Sequence, residues 1–155
     1  MVSALLMLCV APFQQAPAST DGFKSPVHVQ VRKEGGGWKL YRNGTHYVIK
    51  GAGGSSELQR LKALGGNSIR TWGSDNQKAL LDESHKLGIS VTLGYWMGHA
   101  RHGFSYEDPK QVADQQAKFE AAVKEYRSHP AVLMWAVGNE MELGQADDGN
   151  PNLWK

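Results

Sequence analysis

Cysteine is almost missing from this sequence, with Cys9 the only one. One thiol closes no disulfide within a chain, so the residue count leaves the redox compartment open. Runs of one charge are missing as well. Lys and Arg number 17 against 15 Asp and Glu, a formal net charge of +2, and they are scattered. That excludes the basic face required by a nucleic acid or an anionic membrane, and neither is expected as a partner. Apolar stretches long enough to span a bilayer are absent, as are internal repeats and low-complexity tracts. What is present is ordinary for a folded domain: 41% hydrophobic and 21% charged residues over 155, enough for one core.

The first apolar stretch, Ala4-Leu5-Leu6-Met7-Leu8-Cys9-Val10, has the length of a signal-peptide core, and Ala16-Pro17-Ala18 has the small-x-small form of a cleavage site. Residues 1–18 therefore read as a signal peptide, although Met1-Val2-Ser3 lacks the usual Lys or Arg. The expected location is secreted or periplasmic. Residues 19–37 read as a linker and an entry strand, and residues 38–155 as the folded unit.

Val27, Val29 and Val31 alternate with polar residues, the period of a half-buried strand, until Gly35-Gly36-Gly37 breaks it. Arg42-Asn43-Gly44 between Trp38–Tyr41 and Thr45–Ile49 predicts a hairpin, because Asn-Gly accepts the positive φ of a tight turn. Asn43-Gly44-Thr45 also forms a glycosylation sequon, but the turn is the better reading. Beyond the hairpin, strand and helix patterns alternate. Strands are expected at Val48–Gly51, Asn67–Trp72, Ile89–Tyr95 and Ala131–Val137. The helices between them are capped by Ser55 or Ser56, by Ser74 or Asp75, and opened by Pro109. Gly88 closes the second. This alternation predicts an α/β fold of parallel βαβ units behind a short antiparallel hairpin. Asn150-Pro151 reads as the start of a further helix.

In a parallel β/α barrel the reacting groups lie at the carboxyl ends of the strands. The polar and aromatic residues falling there are Lys50, then Arg70 and Trp72, then Trp96, His99 and His102, then Asn139 and Glu140. Aromatic rings suit the C–H face of a sugar, and an amide, a guanidinium and a carboxylate suit its hydroxyls.

Trp135-Ala136-Val137-Gly138-Asn139-Glu140, preceded by His129-Pro130-Ala131-Val132, resembles the fourth-strand motif of the retaining barrel glycosidases of clan A, including family 2 β-glycosidases and family 5 glucanases. Tyr41–Gly51 looks like the hairpin entering such a barrel. Gly66–Trp72 looks like its second strand, with Arg70 in the place of the arginine that steadies the nucleophile. The resemblance runs from Trp38 to Trp154 and implies the amino-terminal half of a TIM (β/α)8 barrel, about four β/α units. It implies hydrolysis of β-linked glycosides with retention, Glu140 as general acid/base, and Asn139 on the sugar 2-hydroxyl. Arg70, Trp72, Trp96 and His99 would bind the substrate, an oligo- or polysaccharide, without metal or cofactor. Such a glycosidase needs two carboxyl groups ~5–5.5 Å apart, and an acid whose pKa is raised by an apolar setting. The nucleophile belongs to a seventh strand, which this chain does not contain. Glu142, Asp147 and Asp148 lie in the loop beside Glu140 and do not replace it. The 155-residue chain is therefore expected to be inactive alone, and to self-associate through the open edge of its fourth strand.

Each residue also has a plainer reading. Glu140 could be an exposed carboxylate after a core strand, Asn139 a turn former, and Arg70 a surface partner of Asp75 or Glu83. Trp72 and Trp96 could be rim packing. A non-catalytic carbohydrate-binding barrel and a transglycosylase share the same pattern. A metal-dependent hydrolase would use His99, His102 and Glu140.

Overall fold

The structure, a computed structural model, describes residues 26–141. The signal-peptide stretch, Glu142, Asp147, Asp148 and the helix start at Asn150 lie outside the described residues. Among the described residues no helix is long and apolar enough to cross a membrane.

The chain opens with an antiparallel sheet of β1 (Val29–Glu34), β2 (Gly37–Arg42) and β3 (Thr45–His46). Both of its turns have two residues at positive φ. Gly35 and Gly36 stand at 59° and 81°, and Asn43 and Gly44 at 49° and 79°. These are the primed turns whose twist matches paired strands, as the Asn-Gly signal predicted. The alternation expected in β1 holds less well, because Val31 is 61% exposed.

A parallel sheet follows, with strands β4 (Gly51–Gly53), β5 (Ser68–Arg70), β6 (Ser90–Tyr95) and β7 (Val132–Val137) in that spatial order. Helices α1 (Leu58–Ala63), α2 (Lys78–Leu87) and α3 (Pro109–Tyr126) connect them. This is the run of βαβ units that the sequence predicted. Several bounds differ from expectation. Val48–Lys50 is not strand; β4 begins at Gly51. Lys50 consequently lies at the amino end of β4, where its N–H donates to Asn67 Oδ1 at 2.8 Å, and not at the mouth. Helix α1 is capped by Glu57 at φ 57° and α2 by Gln77, neither through its side chain, in place of the expected serines or Asp75. The α3 cap is strong: Asp108 accepts from the N–H groups of Lys110 and Gln111 at 2.9 and 3.3 Å. Gly88 closes α2 at φ 68°, as expected.

One face of the sheet is apolar. Leu58, Leu81 and Tyr126 from the helices pack with Ile69, Val91, Leu93 and Val132 from the strands. Alternation along each strand turns the intervening residues to the other face, which carries Ser68 and Arg70 in β5, and Thr92 and Gly94 in β6. The hairpin sheet is tied to the amino ends of the strands. Arg42 donates to the Pro130 carbonyl at 2.6 Å, and the Tyr47 hydroxyl donates to the Asn67 carbonyl at 2.7 Å and meets Ser90 Oγ at 3.0 Å. The opposite end is left open, and the site candidates other than Lys50 are there.

Gly94 sets the approach of β5 to β6. A Cβ at this position would collide with the Thr71 carbonyl oxygen and lie 2.7 Å from Trp72 Cα. Gly94→Ala is expected to destabilise the fold by about 1–3 kcal/mol through forced separation of backbone. Gly73→Ala, where nothing lies within 4 Å, should change stability by less than about 0.5 kcal/mol. Urea midpoints of the two variants check this.

Candidate active site

Arg70 is the last residue of β5, and its guanidinium donates to Asn139 Oδ1 at 3.0 Å. Asn139 follows β7 by one glycine. Gly138 stands at φ 78°, with its N–H donating to the Tyr95 carbonyl at 2.9 Å. A Cβ there would lie 2.8 Å from Met141 Cγ. Glu140 is also left-handed, at φ 51°. Such a conformation costs a non-glycine residue of order 1–3 kcal/mol and persists where the surroundings fix it. Glu140 is exposed. The described residues therefore give its carboxyl no apolar cover.

Trp72 lies across the end of β4, its ring 2.8 Å from where a Cβ on Gly53 would be, and the Arg70 guanidinium sits 5.6 Å from the ring centre. The plain reading holds in part for Trp72 and does not hold for Arg70. Trp72 packs on the rim, but it is 43% exposed. Arg70 pairs with Asn139 rather than with Asp75 or Glu83. Trp96 follows β6 and stacks on His99, with ring centres 5.2 Å apart and planes at 28°.

His99 is 2% exposed, and neither ring nitrogen has a hydrogen-bond partner among the described residues. Burial holds its pKa below the ordinary imidazole value, with the charges of Arg101 and His102 acting in the same direction. The Asn139 backbone and the Glu140 charge oppose them, which places His99 beside the Asn139-Glu140 pair. Trp72, Arg70, Asn139, Glu140, His99 and Trp96 thus form one continuous group. His102, 5.6 Å from His99 between ring centres, adjoins it. Among the described residues no three His, Cys, Asp or Glu side chains gather closely enough to hold a metal ion. His99, His102 and Glu140 do not form the ligand set considered from sequence.

Sequence reasoning missed the residues that hold the loop between β6 and α3. Gln115 Oε1 accepts from the Gly98 N–H at 2.6 Å, Gln111 Oε1 accepts from the Ser105 N–H at 3.1 Å, and the Tyr106 hydroxyl donates to the Gly98 carbonyl at 2.8 Å. Phe104 packs on Gly98. Thr71 was missed too. It is buried, donates to the Gly73 carbonyl and accepts from the Gly94 N–H, both at 3.0 Å. The only signal was two glutamines four residues apart on one face of α3.

A parallel sheet backed by helices, with an Arg-Asn-Glu group at the carboxyl ends of its strands, defines part of a β/α-barrel catalytic domain. Residues 55–149 match the TIM barrel domain of glycosyl hydrolases family 2. The chain belongs to that family. A Parabacteroides merdae β-glucuronidase with glycerol in its active site superposes with a TM-score of 0.60 at 18% identity, over 80% of this chain and 17% of that one. A family 2 member from Bacteroides cellulosilyticus gives 0.50 at 27% identity, over 72% and 16% of the two chains. A Ruminococcus gnavus β-glucuronidase in complex with a C6-substituted uronic isofagomine gives 0.55 at 18%, over 74% and 22%. This chain thus spans roughly a fifth or less of the length of these structures. At 18% identity the likeness shows the fold. No curated protein matches the chain.

The pKa of His129 is likewise lowered, first by burial and against the pull of Asp82. Both histidines are therefore shifted towards the neutral ring, so that as the pH falls the native state takes up fewer protons than the unfolded chain. Stability should be fully present above the unfolded imidazole value of ~6.5 and should fall as the pH drops below it. Urea midpoints at about pH 7.5 and about pH 5 should differ in that direction, and His99→Gln should remove part of the difference. An unchanged slope in His99→Gln contradicts the burial argument.

Proposed function

We propose that this chain carries the acid/base side of a retaining β-glycosidase active site. The observation that carries the reading is the Arg70–Asn139 hydrogen bond at the barrel mouth of a family 2 catalytic domain. It holds the Asn139-Glu140 pair at the strand ends, where such an enzyme acts. The left-handed backbone of Glu140 supports the same reading, since strain of this kind gathers at functional sites.

In the first step the protonated Glu140 carboxyl gives its proton to the glycosidic oxygen as the C1–O bond breaks. A second carboxylate, from polypeptide beyond these four strands, forms a bond to C1. In the second step Glu140, now a carboxylate, takes a proton from water as the water oxygen displaces that carboxylate. The β configuration is retained after two inversions. Asn139 Oδ1 accepts from Arg70, which leaves its NH2 to donate to a sugar hydroxyl. Arg70 keeps donors for the nucleophile. His99 is buried and backs the Trp96 ring, while Trp72 and the open side of Trp96 offer ring faces. The substrate is a β-linked oligo- or polysaccharide. Because two of the structural relatives are β-glucuronidases, an aryl β-glucuronide belongs in the substrate panel beside neutral aryl β-glycosides.

The test uses a protein that carries this chain within a complete barrel. Glu140→Ala should lower kcat/KM for poor leaving groups by ~10²–10⁴, while a dinitrophenyl glycoside still forms the glycosyl-enzyme. Azide needs no general base, so it should restore turnover and yield a β-glycosyl azide. An inverted azide product makes Glu140 the nucleophile, and absence of both rescue and leaving-group dependence makes it structural. The isolated 155-residue chain should show no turnover and should self-associate. A monomer in sedimentation that steadily hydrolyses an aryl β-glycoside would overturn the division of roles.

A further inference from the structure

Trp96 has a second setting that catalysis at Glu140 does not use. One ring face stacks on His99, yet the residue is 46% exposed. Beside it opens a cavity of about 660 Å³ between the turn that precedes α2 and the outer side of α3. Ligand-binding cavities for small molecules run from roughly 300 to 1,000 Å³. Its wall has the composition of a sugar site. Trp96 and Tyr95 present rings, Ala121 and Ala122 make room on α3, and Asp75, Asn76 and Lys118 provide polar atoms. The Tyr95 hydroxyl is committed to the Gln115 carbonyl at 3.1 Å. No ion pair among the described residues involves Lys118 or Asp75. Asn76 is held left-handed at φ 53°. A second cavity of about 350 Å³ shares Tyr95, Trp96 and Lys118 and continues past Gln111 and Asp114. The two adjoin at Tyr95, Trp96 and Lys118 and make a trough along α3, whose lining residues do not include Glu140.

We propose that this trough is a saccharide-binding site outside the catalytic mouth, taking the units of a neutral glycan that extend beyond the sugar held at Arg70, Asn139 and Glu140. Trp96 is the hinge between the two, since it touches His99 of the mouth and lines both cavities. A stacked ring and isolated polar groups recognise hydroxylated rings, the aromatic face taking C–H groups and the polar atoms taking hydroxyls. One cation, Lys118, lines the trough against three carboxylates, Asp75, Asp114 and Glu125, so the wall carries no surplus positive charge for a polyanion. The substrate class is accordingly a neutral β-linked oligosaccharide chain rather than a simple glycoside of a small alcohol. This rests on the glycosidase reading for the chemistry at Glu140, but binding in the trough does not depend on turnover.

The test uses the complete-barrel protein with β-1,4-linked tetrasaccharides of glucose, xylose and mannose, each compared with the matching aryl β-monoglycoside. Ala121→Trp fills the cavity from an exposed helix position, and Lys118→Ala removes a polar contact without filling it. For the sugar the enzyme accepts, Ala121→Trp should lower the ratio of kcat/KM for tetrasaccharide to that for monoglycoside at least tenfold, and Lys118→Ala at least threefold. Equal loss on both substrates, or no change on either, overturns the trough. If the wild type turns over none of these substrates and no aryl β-glucuronide either, the glycosidase reading fails. Tryptophan fluorescence titration then decides the trough alone: saturable tetrasaccharide binding abolished by Ala121→Trp supports it, and unaltered or absent binding overturns it.

Discussion

The hydrogen bond from Arg70 to Asn139 joins residues at the ends of β5 and β7, two strands that are not neighbours. Strand β6 lies between, so the bond spans two inter-strand spacings, about 10 Å at the backbone. Gly94 occupies the facing end of β6 and has no side chain, and the backbone of Thr71 and Trp72 folds down onto it. With a larger residue at that position, the β5 end would be lifted and the two halves of the mouth would part. The polar group at the open end therefore depends on a missing side chain in the middle strand.

The same sheet separates its two jobs by face. The helix-covered side carries Ile69, Val91, Leu93 and Val132 in one apolar layer and supplies the burial that holds the unit together. The other side carries Arg70 and Gly94 and leads upward into the mouth. Chemistry and cohesion thus use alternate residues of the same short strands, and a register slip of one residue would exchange them.

Much of this was legible in the sequence because it rests on local signals. The Asn43-Gly44 turn, the proline opening α3, Gly88 after α2 and the apolar run Ala131–Val137 all act through their own backbone preferences. The Asn139-Glu140 pair was legible by resemblance and by its place after that run. Strand β4 was not. Val48 and Ile49 have the strand-forming side chains, yet the strand is Gly51-Ala52-Gly53, whose residues have little propensity of their own. It exists because small residues let it lie against β5, where a Cβ on Gly51 would be 2.8 Å from the Ser68 carbonyl oxygen. Tertiary pairing overrode the local pattern and moved Lys50 to the wrong end of the sheet for a site residue. The pins of the β6–α3 loop were hidden for a related reason: Gln111 and Gln115 are ordinary solvent-side residues until the loop folds back onto them.

The tie from Arg42 to the Pro130 carbonyl joins positions 88 residues apart. Contacts of such separation form late, because the loop they close must first lose its freedom. The hairpin sheet, by contrast, needs only its own two tight turns and assembles in about 1–10 μs. On loop closure alone it can pair before the parallel strands do, leaving Arg42 and Tyr47 to meet the amino ends of the parallel sheet afterwards. The closed end of the unit is thus held by a contact of greater sequence separation than the one that joins the mouth, 88 residues against 69.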